Sequence, residues 1–304
     1  MEPRSIAIIG GGLMGAGIAQ VFIAAGHQVS VFEPSATARA SVRERVAADL
    51  RQLKRDASLA QCVVITDDLA QAVAQAHFVT EAGPERLEAK QAIFAELVAR
   101  APPTAILASN TSVIPIHRIV GTLPTGHRIL GTHWWNPPAL IPLVEVVQAA
   151  QTSSASVRWV MELLTSVGKC PAHVAKDVPG FVANRLQHAL WREAIAMVSE
   201  GICDASTLDA CVKNSFGRRL AVLGPLENAD LVGLDLTLDI HRTIIPELNR
   251  DAGPNAYLEA QVAAGKLGFK SGVGFRTWTQ PQMDELRQQL MSHLLQTQPR
   301  DTPK

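Results

Sequence analysis

An uncharged stretch over residues 6–26, IAIIGGGLMGAGIAQVFIAAG, constrains the fold of this chain more than any other part of its sequence. Its length is close to that of a membrane-spanning helix, and its flanks resemble those of a signal peptide. Three consecutive glycines, Gly10, Gly11 and Gly12, interrupt the stretch, and each glycine destabilises a helix by about 1 kcal/mol relative to alanine. The stretch therefore predicts a strand, a glycine turn and a buried helix, and we expect no membrane segment.

The N-terminal half alternates short β-branched runs with helical stretches, which is typical of βαβ units. The runs predict strands at residues 5–9, 28–32, 62–65, 77–80, 105–108, 128–132, 143–147 and 172–175. The intervening patterns predict helices at residues 13–25, 36–54, 68–75, 86–100 and 153–166. We expect an α/β fold with a Rossmann-like, doubly wound and mainly parallel sheet that has helices on both faces.

The pattern changes at Pro179-Gly180, after which apolar residues recur at helical spacing, as at Phe181, Leu186 and Leu190. We therefore predict a nucleotide-binding domain over residues 1–178 and a C-terminal all-helical domain over residues 179–304. The last seven residues, 298–304, lack apolar side chains, and we expect them to be frayed.

The charge balance and the cysteines exclude several classes of protein. The sequence carries 28 basic and 28 acidic residues, so it lacks the basic excess of most nucleic-acid binders. Four cysteines, Cys62, Cys170, Cys203 and Cys211, have neither zinc-site spacing nor the density of a disulfide scaffold. We expect no metal site, reduced and mostly buried thiols, and a cytoplasmic location.

The glycine run has the spacing of a dinucleotide-binding turn. Gly10-Gly11-Gly12-Leu13-Met14-Gly15 follows the first predicted strand and opens the first predicted helix. In such a turn Gly10 bends the chain, Gly12 lets a pyrophosphate approach the backbone and Gly15 allows close packing. Glu33, at the end of the next strand, can accept hydrogen bonds from both ribose hydroxyls and would repel a 2′-phosphate. We predict NAD as the cofactor; the alternative is a tight turn with a solvated glutamate.

A second group of residues surrounds His133, which ends a predicted strand before the turn Asn136-Pro137-Pro138. Glu145 lies in the apolar strand that follows, where an ionised carboxylate needs a partner. A His133–Glu145 pair would provide a base with a fixed tautomer, suited to removing the proton of an alcohol. Spacing alone leaves a structural salt bridge as the alternative.

Several motifs, taken in order along nearly the whole chain, resemble the 3-hydroxyacyl-CoA dehydrogenase family. They are the glycine motif with Met14, Gly83-Pro84-Glu85 with Lys90, Ser109-Asn110-Thr111-Ser112, the His133–Glu145 block, Pro179-Gly180-Phe181 with Asn184-Arg185-Leu186, Gly224-Pro225, and the stretch 270–275. The resemblance implies an NAD-dependent dehydrogenase that oxidises a 3-hydroxyacyl thioester in fatty acid metabolism. It also implies a small-molecule substrate and a homodimer formed through the helical domain. Candidate contacts are Trp191, Ile195 and Val198; the alternative is that they fill only the core of their own domain.

The resemblance also assigns roles to individual residues. It implies that His133 is the catalytic base, that Glu145 orients it, and that Ser112 and Asn184 hold the substrate oxygen. A helix N-cap for Ser112 and a helix-interior amide for Asn184 are the structural alternatives. Asn136 would support the substrate site. The predicted cofactor-binding residues are Gly10, Gly12, Leu13, Met14, Gly15, Glu33, Glu85, Lys90 and Asn110.

Three departures from the family pattern affect the expected substrate. Trp134-Trp135 replaces a common pair of phenylalanines, and the segment between Glu33 and Thr66 is shorter than in members that bind CoA. Arg218 and Arg219, near Gly224-Pro225, resemble relatives that act on free hydroxy acids, such as carnitine, gulonate and pyridine-carboxylate dehydrogenases. Either arginine could bind a substrate carboxylate with two hydrogen bonds.

Two alternatives to the thioester reaction therefore stay open. The first is a dehydrogenase of a small free hydroxy acid. The second is a non-catalytic structural or NAD-sensing protein on the same fold. The basic side chains of the predicted helix 36–54 could attract CoA phosphates, or could form an ordinary solvated face.

Overall fold

The computed structural model describes residues 2–297 and divides into two compact units. The first contains the chain up to Arg185 together with the segment from Met291, and the second contains Leu186–Leu290. The predicted domain boundary between residues 178 and 179 stays a prediction. The expectation for residues 298–304 lies outside the described residues.

The first unit is built on one eight-stranded sheet with the strand order β3-β2-β1-β4-β5-β6-β7-β8. Its strands are β1 Ser5–Ile9, β2 Gln28–Phe32, β3 Val64–Thr66, β4 Phe78–Glu81, β5 Ile106–Ser109, β6 Ile129–Trp134, β7 Leu143–Val147 and β8 Cys170–Val174. Its helices are α1 Leu13–Ala24, α2 Ala36–Gln52, α3 Leu69–Val73, α4 Leu87–Arg100, α5 Ile116–Val120 and α6 Ser154–Ser166, with 3₁₀ turns at Ala57–Cys62 and Gly126–Arg128. The predicted α/β fold class is confirmed.

All neighbouring strands are parallel except β6 and β7. A proline-rich turn joins this antiparallel pair directly, whereas parallel neighbours need a crossover helix. Within the pair, His133 lies opposite Glu145. The turn therefore places these two residues side by side at one edge of the sheet.

Alternate residues of the central strands enter two separate hydrophobic layers, because successive side chains of a strand point to opposite faces. Ile6 and Ile8 of β1 pack in the layer formed with α1, α2 and α6. Ala7 and Ile9 pack in the layer that contains Phe94 of α4. The sheet is thus covered on both faces, as expected for parallel strands.

Polar residues gather where β4, β5 and β6 end, at Glu81, Ser109 and His133. The chain passes from β1 through β2 and β3 on one side and then crosses to β4 on the other side of β1. In open α/β sheets, ligands bind at the carboxyl ends of the strands at such a switch point. The topology therefore brings the glycine turn after β1 and these polar residues to the same edge of the sheet.

The second unit is helical and has a small core. Its helices are α7 Ala183–Ser199 (from Leu186), α8 Ala205–Asn214, α9 Pro225–Val232, α10 Leu234–Ile244, α11 Ala256–Ala263 and the first part of α12 Gln280–Gln296. No residue of α8, α9, α10 or α11 is fully buried. Large apolar side chains such as Leu226 and Leu234 are 79% and 64% exposed. Among the described residues, no helix is both long and apolar enough to cross a membrane.

The four cysteines are free, but the expectation that they are mostly buried is wrong. Cys62, Cys170 and Cys211 are exposed, and Cys203 is half-buried. Cys170 illustrates the reason, because it opens the edge strand β8, in which only Val174 at the other end is buried. Cysteine is often buried in proteins, but whether a given cysteine is buried depends on its position in its helix or strand.

Candidate active site

The glycine turn after β1 has the geometry that a bound dinucleotide requires. Gly10 has a φ of +108°, and a Cβ there would lie 2.7 Å from the carbonyl oxygen of Ala82. A Cβ at Gly15 would lie 1.8 Å from the carbonyl oxygen of Gly10. At Gly12 a Cβ would meet nothing within 4 Å, so the backbone is open on that side. The first two glycines are required by the fold and the third leaves room for a ligand.

The N-terminus of α1 is free to bind an anion. Gly12 precedes the helix and supplies no side-chain cap, and the first turn carries no acidic residue. Leu13, the first helical residue, is 66% exposed. Unpaired backbone N–H groups and the helix dipole at such an end attract a phosphate. This end of α1 therefore fits the pyrophosphate of NAD.

Glu33 lies beside the glycine turn at the end of β2. Its Oε2 accepts a hydrogen bond of 2.8 Å from the backbone N–H of Gly11, and its Oε1 accepts one of 3.0 Å from that of Ser35. Each carboxylate oxygen can accept further bonds. The carboxylate is therefore held in a fixed position next to the turn, as the predicted ribose contact requires.

Glu81 and Lys90 form a buried ion pair at the end of β4. Both Glu81 oxygens accept hydrogen bonds from Lys90 Nζ, at 2.8 and 2.9 Å. Glu81 also accepts bonds from Ser109 Oγ and from the backbone N–H of Gly83, both at 2.7 Å. Lys90 is only 1% exposed. The ammonium thus faces the protein interior.

Glu85 connects this pair to the loop after β5. Its Oε2 lies 3.3 Å from Lys90 Nζ, and its Oε1 accepts bonds from the hydroxyl of Thr111 and the backbone N–H groups of Ser112 and Val113. Burial raises the pKa of Glu85, but these hydrogen bonds and the charge of Lys90 outweigh it, and the net direction is downward. Glu85 therefore stays ionised and fixes the loop that carries Ser112.

Ser112 and Asn184 lie next to each other. The Nδ2 of Asn184 donates a hydrogen bond of 3.0 Å to the backbone carbonyl of Ser112. The hydroxyl of Ser112 makes no hydrogen bond within residues 2–297, and it does not cap α5, which begins at Ile116. Asn184 lies in the first turn of α7, not in its interior. Ser112 therefore caps no helix, and Asn184 joins the start of α7 to the loop after β5.

His133 and Glu145 form a buried hydrogen-bonded pair across β6 and β7. Nδ1 of His133 lies 2.7 Å from Oε2 of Glu145, and the two side chains are 5% and 2% exposed. The other carboxylate oxygen, Oε1, accepts bonds of 2.9 and 3.1 Å from the backbone N–H groups of Val182 and Ala183. These bonds fix the tautomer with the proton on Nδ1, so Nε2 carries the free lone pair of a base.

The electrostatics of Glu145 suit an orienting carboxylate. Burial raises its pKa, but the hydrogen bonds from His133, Ala183 and Val182 and the charge of His133 together lower it below the usual value. Because the carboxylate is ionised at neutral pH, it stabilises a positive charge on His133 when that ring accepts a proton.

Two aromatic rings flank the His133 imidazole. The Trp135 ring lies 5.2 Å from it and the Phe181 ring 5.7 Å, measured between centroids. Phe181 is buried, and its φ is +50°, a value that is strained for a bulky residue. Trp134 instead points into the core, where its ring contacts Phe22 edge-on. Of the two tryptophans, Trp135 therefore borders the base and Trp134 fills the core.

The remaining predicted residues divide between the two units. Asn110 accepts a hydrogen bond of 2.9 Å from the backbone N–H of Trp134, which ties β5 to β6, and Asn136 is exposed in the loop after β6. Arg218 and Arg219 lie in the second unit, at and after the 3₁₀ turn Phe216–Arg218. Arg219, and not Arg218, lines a cavity of about 260 Å³.

All four arginines of α2 bind acceptors of the protein itself. Arg39 binds Asp67 and the carbonyls of Glu33 and Pro34; Arg43 binds Gln61 and Val63; Arg45 binds Gly11; and Arg51 pairs with Glu44. These four side chains therefore do more than form a solvated helix face, and their hydrogen-bonding groups are already used by this chain and not reserved for CoA phosphates.

Comparison with known proteins identifies the family. Residues 5–178 match the NAD binding domain of 3-hydroxyacyl-CoA dehydrogenase, and residues 180–278 match its C-terminal domain. The chain belongs to the 3-hydroxyacyl-CoA dehydrogenase family. It is an NAD-dependent dehydrogenase that acts on a hydroxyl group, and the predicted cofactor is confirmed.

Three comparisons show the range of this family. The chain is 37% identical to 5-formyl-3-hydroxy-2-methylpyridine 4-carboxylate 5-dehydrogenase of Mesorhizobium japonicum, over 93% of this chain and 94% of that protein. A solved structure of an enzyme of that name superposes with a TM-score of 0.89 and 32% identity, covering 97% of each chain. The structure of (S)-3-hydroxybutyryl-CoA dehydrogenase from Ralstonia eutropha superposes with a TM-score of 0.75 and 30% identity, covering 92% of this chain and all of that one.

Sequence reasoning missed three residues that the structure places in or beside this site. Glu81 is buried at the end of β4, Thr111 binds Glu85, and Phe181 packs on His133. An acidic residue that ends an apolar strand next to the glycine turn is a signal that could have identified Glu81. Nothing in the local sequence distinguishes Phe181 from an ordinary core residue.

Two glycine substitutions should separate cofactor binding from folding. Gly12→Ala should keep the melting temperature of the wild type, because the added methyl group meets no protein atom, and should weaken NADH binding about tenfold or more, which corresponds to a loss of about 1.4 kcal/mol. Gly15→Ala should lower both stability and NADH binding, because the turn must open to accommodate the methyl group. Thermal unfolding and NADH fluorescence titration measure the two effects. Equal NADH affinity of Gly12→Ala and the wild type would contradict the assignment.

Proposed function

We propose that this chain oxidises a compact secondary alcohol that carries a free carboxylate, with His133 as the base. The observation that carries the reaction type is the buried His133–Glu145 pair, which leaves Nε2 of His133 free to act as a base. NAD, when bound, would accept the hydride. The residues predicted to hold it are Gly10, Gly12, Leu13, Met14 and Gly15 at the turn, with Glu33, Glu85, Lys90 and Asn110 around it.

The proton moves through His133. Its Nε2 accepts the hydroxyl proton as the carbinol carbon is oxidised, and the imidazolium that forms is stabilised by Glu145. The hydroxyl of Ser112 and the amide of Asn184 bind the substrate oxygen and stabilise the charge that develops on it. Glu85 acts through the loop that carries Ser112, and Lys90 acts through Glu85, since its ammonium faces two carboxylates.

The preference for a compact acid is supported by the arginines of α2. A segment that gripped the phosphates of CoA would need uncommitted cations, whereas Arg39, Arg43, Arg45 and Arg51 already bind acceptors of this chain. The higher TM-score with a dehydrogenase whose named substrate carries a free carboxylate, 0.89 against 0.75, also supports it.

A 3-hydroxyacyl thioester is the second candidate. It is supported by the superposition on the Ralstonia 3-hydroxybutyryl-CoA dehydrogenase, which extends over that whole chain. In that case the enzyme would act in fatty acid metabolism. The machinery around His133 is the same for both substrates, so only the group that binds the far end of the substrate differs.

For the assembly we propose a homodimer formed through the helical unit. Helices α8 to α11 bury no residue completely, and Trp191 of α7 is 48% exposed. So much uncovered apolar surface in one small unit is typical of an association surface. A cytoplasmic location is supported by the four free cysteines.

Removing the base should abolish most of the activity while the cofactor still binds. His133→Ala should lower kcat by about 100- to 10,000-fold, the usual contribution of general base catalysis. Glu145→Gln should also lower kcat, because an amide can stabilise the wrong tautomer. NADH formation gives the rate, and NADH fluorescence gives the affinity, which should stay near the wild-type value. Near-normal turnover of His133→Ala would refute the mechanism.

The substrate class is tested with matched acids and thioesters. NADH formation should be more efficient with 3-hydroxybutyrate or L-carnitine, which are secondary alcohols with a free carboxylate, than with 3-hydroxybutyryl-CoA. Arg219→Ala should lower kcat/KM for the preferred free acid. The loss of transition-state stabilisation should be about 2–5 kcal/mol if the bound substrate buries the pair of Arg219 and the carboxylate. Arg218→Ala is the matched control. Efficient turnover of the thioester alone, unchanged by either substitution, would favour the second candidate.

The association state is measured by light scattering at micromolar concentration, where we expect the mass of a dimer. Trp191→Glu should shift the protein toward the monomer, because it places a charge on the apolar face of α7. A monomeric wild type would remove this proposal.

A further inference from the structure

Lys169 is a buried cation directly before β8. It is only 8% exposed. Its Nζ donates hydrogen bonds to the backbone carbonyls of Pro138 and Ile141, the latter at 3.1 Å, and lies 5.6 Å from the centroid of the Trp134 ring. Among the described residues, no carboxylate forms an ion pair with it. The positive charge is therefore compensated only by two carbonyl dipoles and one aromatic face.

This arrangement costs folding free energy. Burial lowers the pKa of Lys169 to about 8, and the neighbouring Cys170 offsets only part of that shift. A lowered pKa means that the folded protein disfavours the charged form, so the ammonium destabilises the fold at neutral pH. Groups that are kept in a costly environment often serve function and not stability.

The two carbonyls belong to the loop that follows the base. Residues 135–141, which we call the base loop, begin with Trp135, whose ring borders His133. Within the base loop, the backbone N–H groups of Leu140 and Ile141 both donate to the carbonyl of Pro137 at 3.0 Å. The base loop contains no regular helix or strand, so few backbone bonds hold it.

Lys169 holds the base loop from a rigid support. Its own backbone N–H donates to the carbonyl of Leu164 in α6 at 3.0 Å. The next N–H, of Cys170, donates to Pro142 at 2.9 Å, directly after the base loop. The side chain thus links the base loop to the junction of α6 and β8.

Arg128 shows what a buried cation does away from the site. It also donates to backbone carbonyls, those of Pro102 and Ala105, at 2.9 and 2.7 Å. However, it precedes β6, at the opposite end of that strand from His133. Arg128 therefore ties together loops at the far edge of the sheet, and it serves as a comparison for Lys169.

We propose that Lys169 is a positioning residue of the active site, which clamps the base loop so that Trp135 stays packed beside His133 and Asn136 keeps its place at the substrate. The effect on turnover rests on the proposed function, whereas the clamp on the base loop does not. A misplacement of about 1 Å at a reacting group can cost on the order of 100-fold in rate. A loosened base loop should therefore act on substrate binding and turnover without acting on NAD.

The test uses Lys169→Met, which removes the charge and keeps most of the apolar stem, and Lys169→Arg, which restores a cation with several donors. Hydrogen exchange followed by mass spectrometry should show at least tenfold faster exchange of the Leu140 and Ile141 amides in Lys169→Met. Activity is measured with whichever of 3-hydroxybutyrate and 3-hydroxybutyryl-CoA the wild type turns over faster. In Lys169→Met, kcat should fall and KM should rise, so that kcat/KM falls by about 10- to 100-fold. NADH affinity should stay unchanged, and Lys169→Arg should recover part of the loss.

Two controls separate positioning from general stability. Lys176→Met removes an exposed lysine near β8 and should change none of these quantities. Arg128→Met should lower the melting temperature and leave KM unchanged, as a purely structural cation would. Rates are expressed per NADH-binding site, so that unfolded protein does not count.

Unchanged exchange of the base loop in Lys169→Met would overturn the proposal, as would a lower melting temperature with normal kcat and KM. If Lys169→Met does not fold, Lys169→Gln, which removes the charge and keeps a polar end, decides by the same criteria. If the wild type turns over neither substrate, the proposed function is in question, and hydrogen exchange still decides whether Lys169 clamps the base loop.

Discussion

The buried carboxylate of Glu145 is the interaction on which the arrangement of this site depends. An ionised carboxylate inside a sheet is tolerated only when its oxygens are hydrogen-bonded. One oxygen binds His133, its partner across β6 and β7, and the other binds the backbone N–H groups of Val182 and Ala183 where α7 begins. The same group therefore fixes the ring of the base and the start of the helix that carries Asn184, which in turn bonds to the loop of Ser112.

Glu81 plays the corresponding part on the cofactor side. Its four hydrogen bonds hold Lys90, Ser109 and the backbone after β4, and Lys90 reaches Glu85. Because Glu85 also binds the loop after β5, the loops after β4 and β5 are joined through ionised groups. Both buried carboxylates lie at the carboxyl edge of the sheet, where a parallel fold brings several strand ends together. The base loop is joined to this edge of the sheet through the hydrogen bonds of Lys169 to its carbonyls.

The sequence predicted the α/β fold, the glycine turn and the His133–Glu145 pair because each has a local signal. Alternating strands and helices follow from periodicity, and the two ends of a short antiparallel turn must lie side by side. Predictions that depended on the surroundings of a residue were less accurate. Three of the four cysteines are exposed, Ser112 caps no helix, and the arginines of α2 bind carbonyls and side chains of other segments. In these cases burial and hydrogen bonding depend on how the whole chain packs, which a local stretch of sequence does not specify.

By itself, the sequence determined which elements form in the N-terminal half and where the glycine turn lies, because hydrophobic period and glycine spacing are local properties of the chain. Only the tertiary structure decided which charged side chains are paired with other groups of the same chain and which are left to face a ligand. Glu145 receives donors from residues more than 30 positions later, and Lys169 binds a loop about 30 positions earlier. Whether a charged group is compensated depends on such distant neighbours, and a buried charge is tolerated or costly according to them.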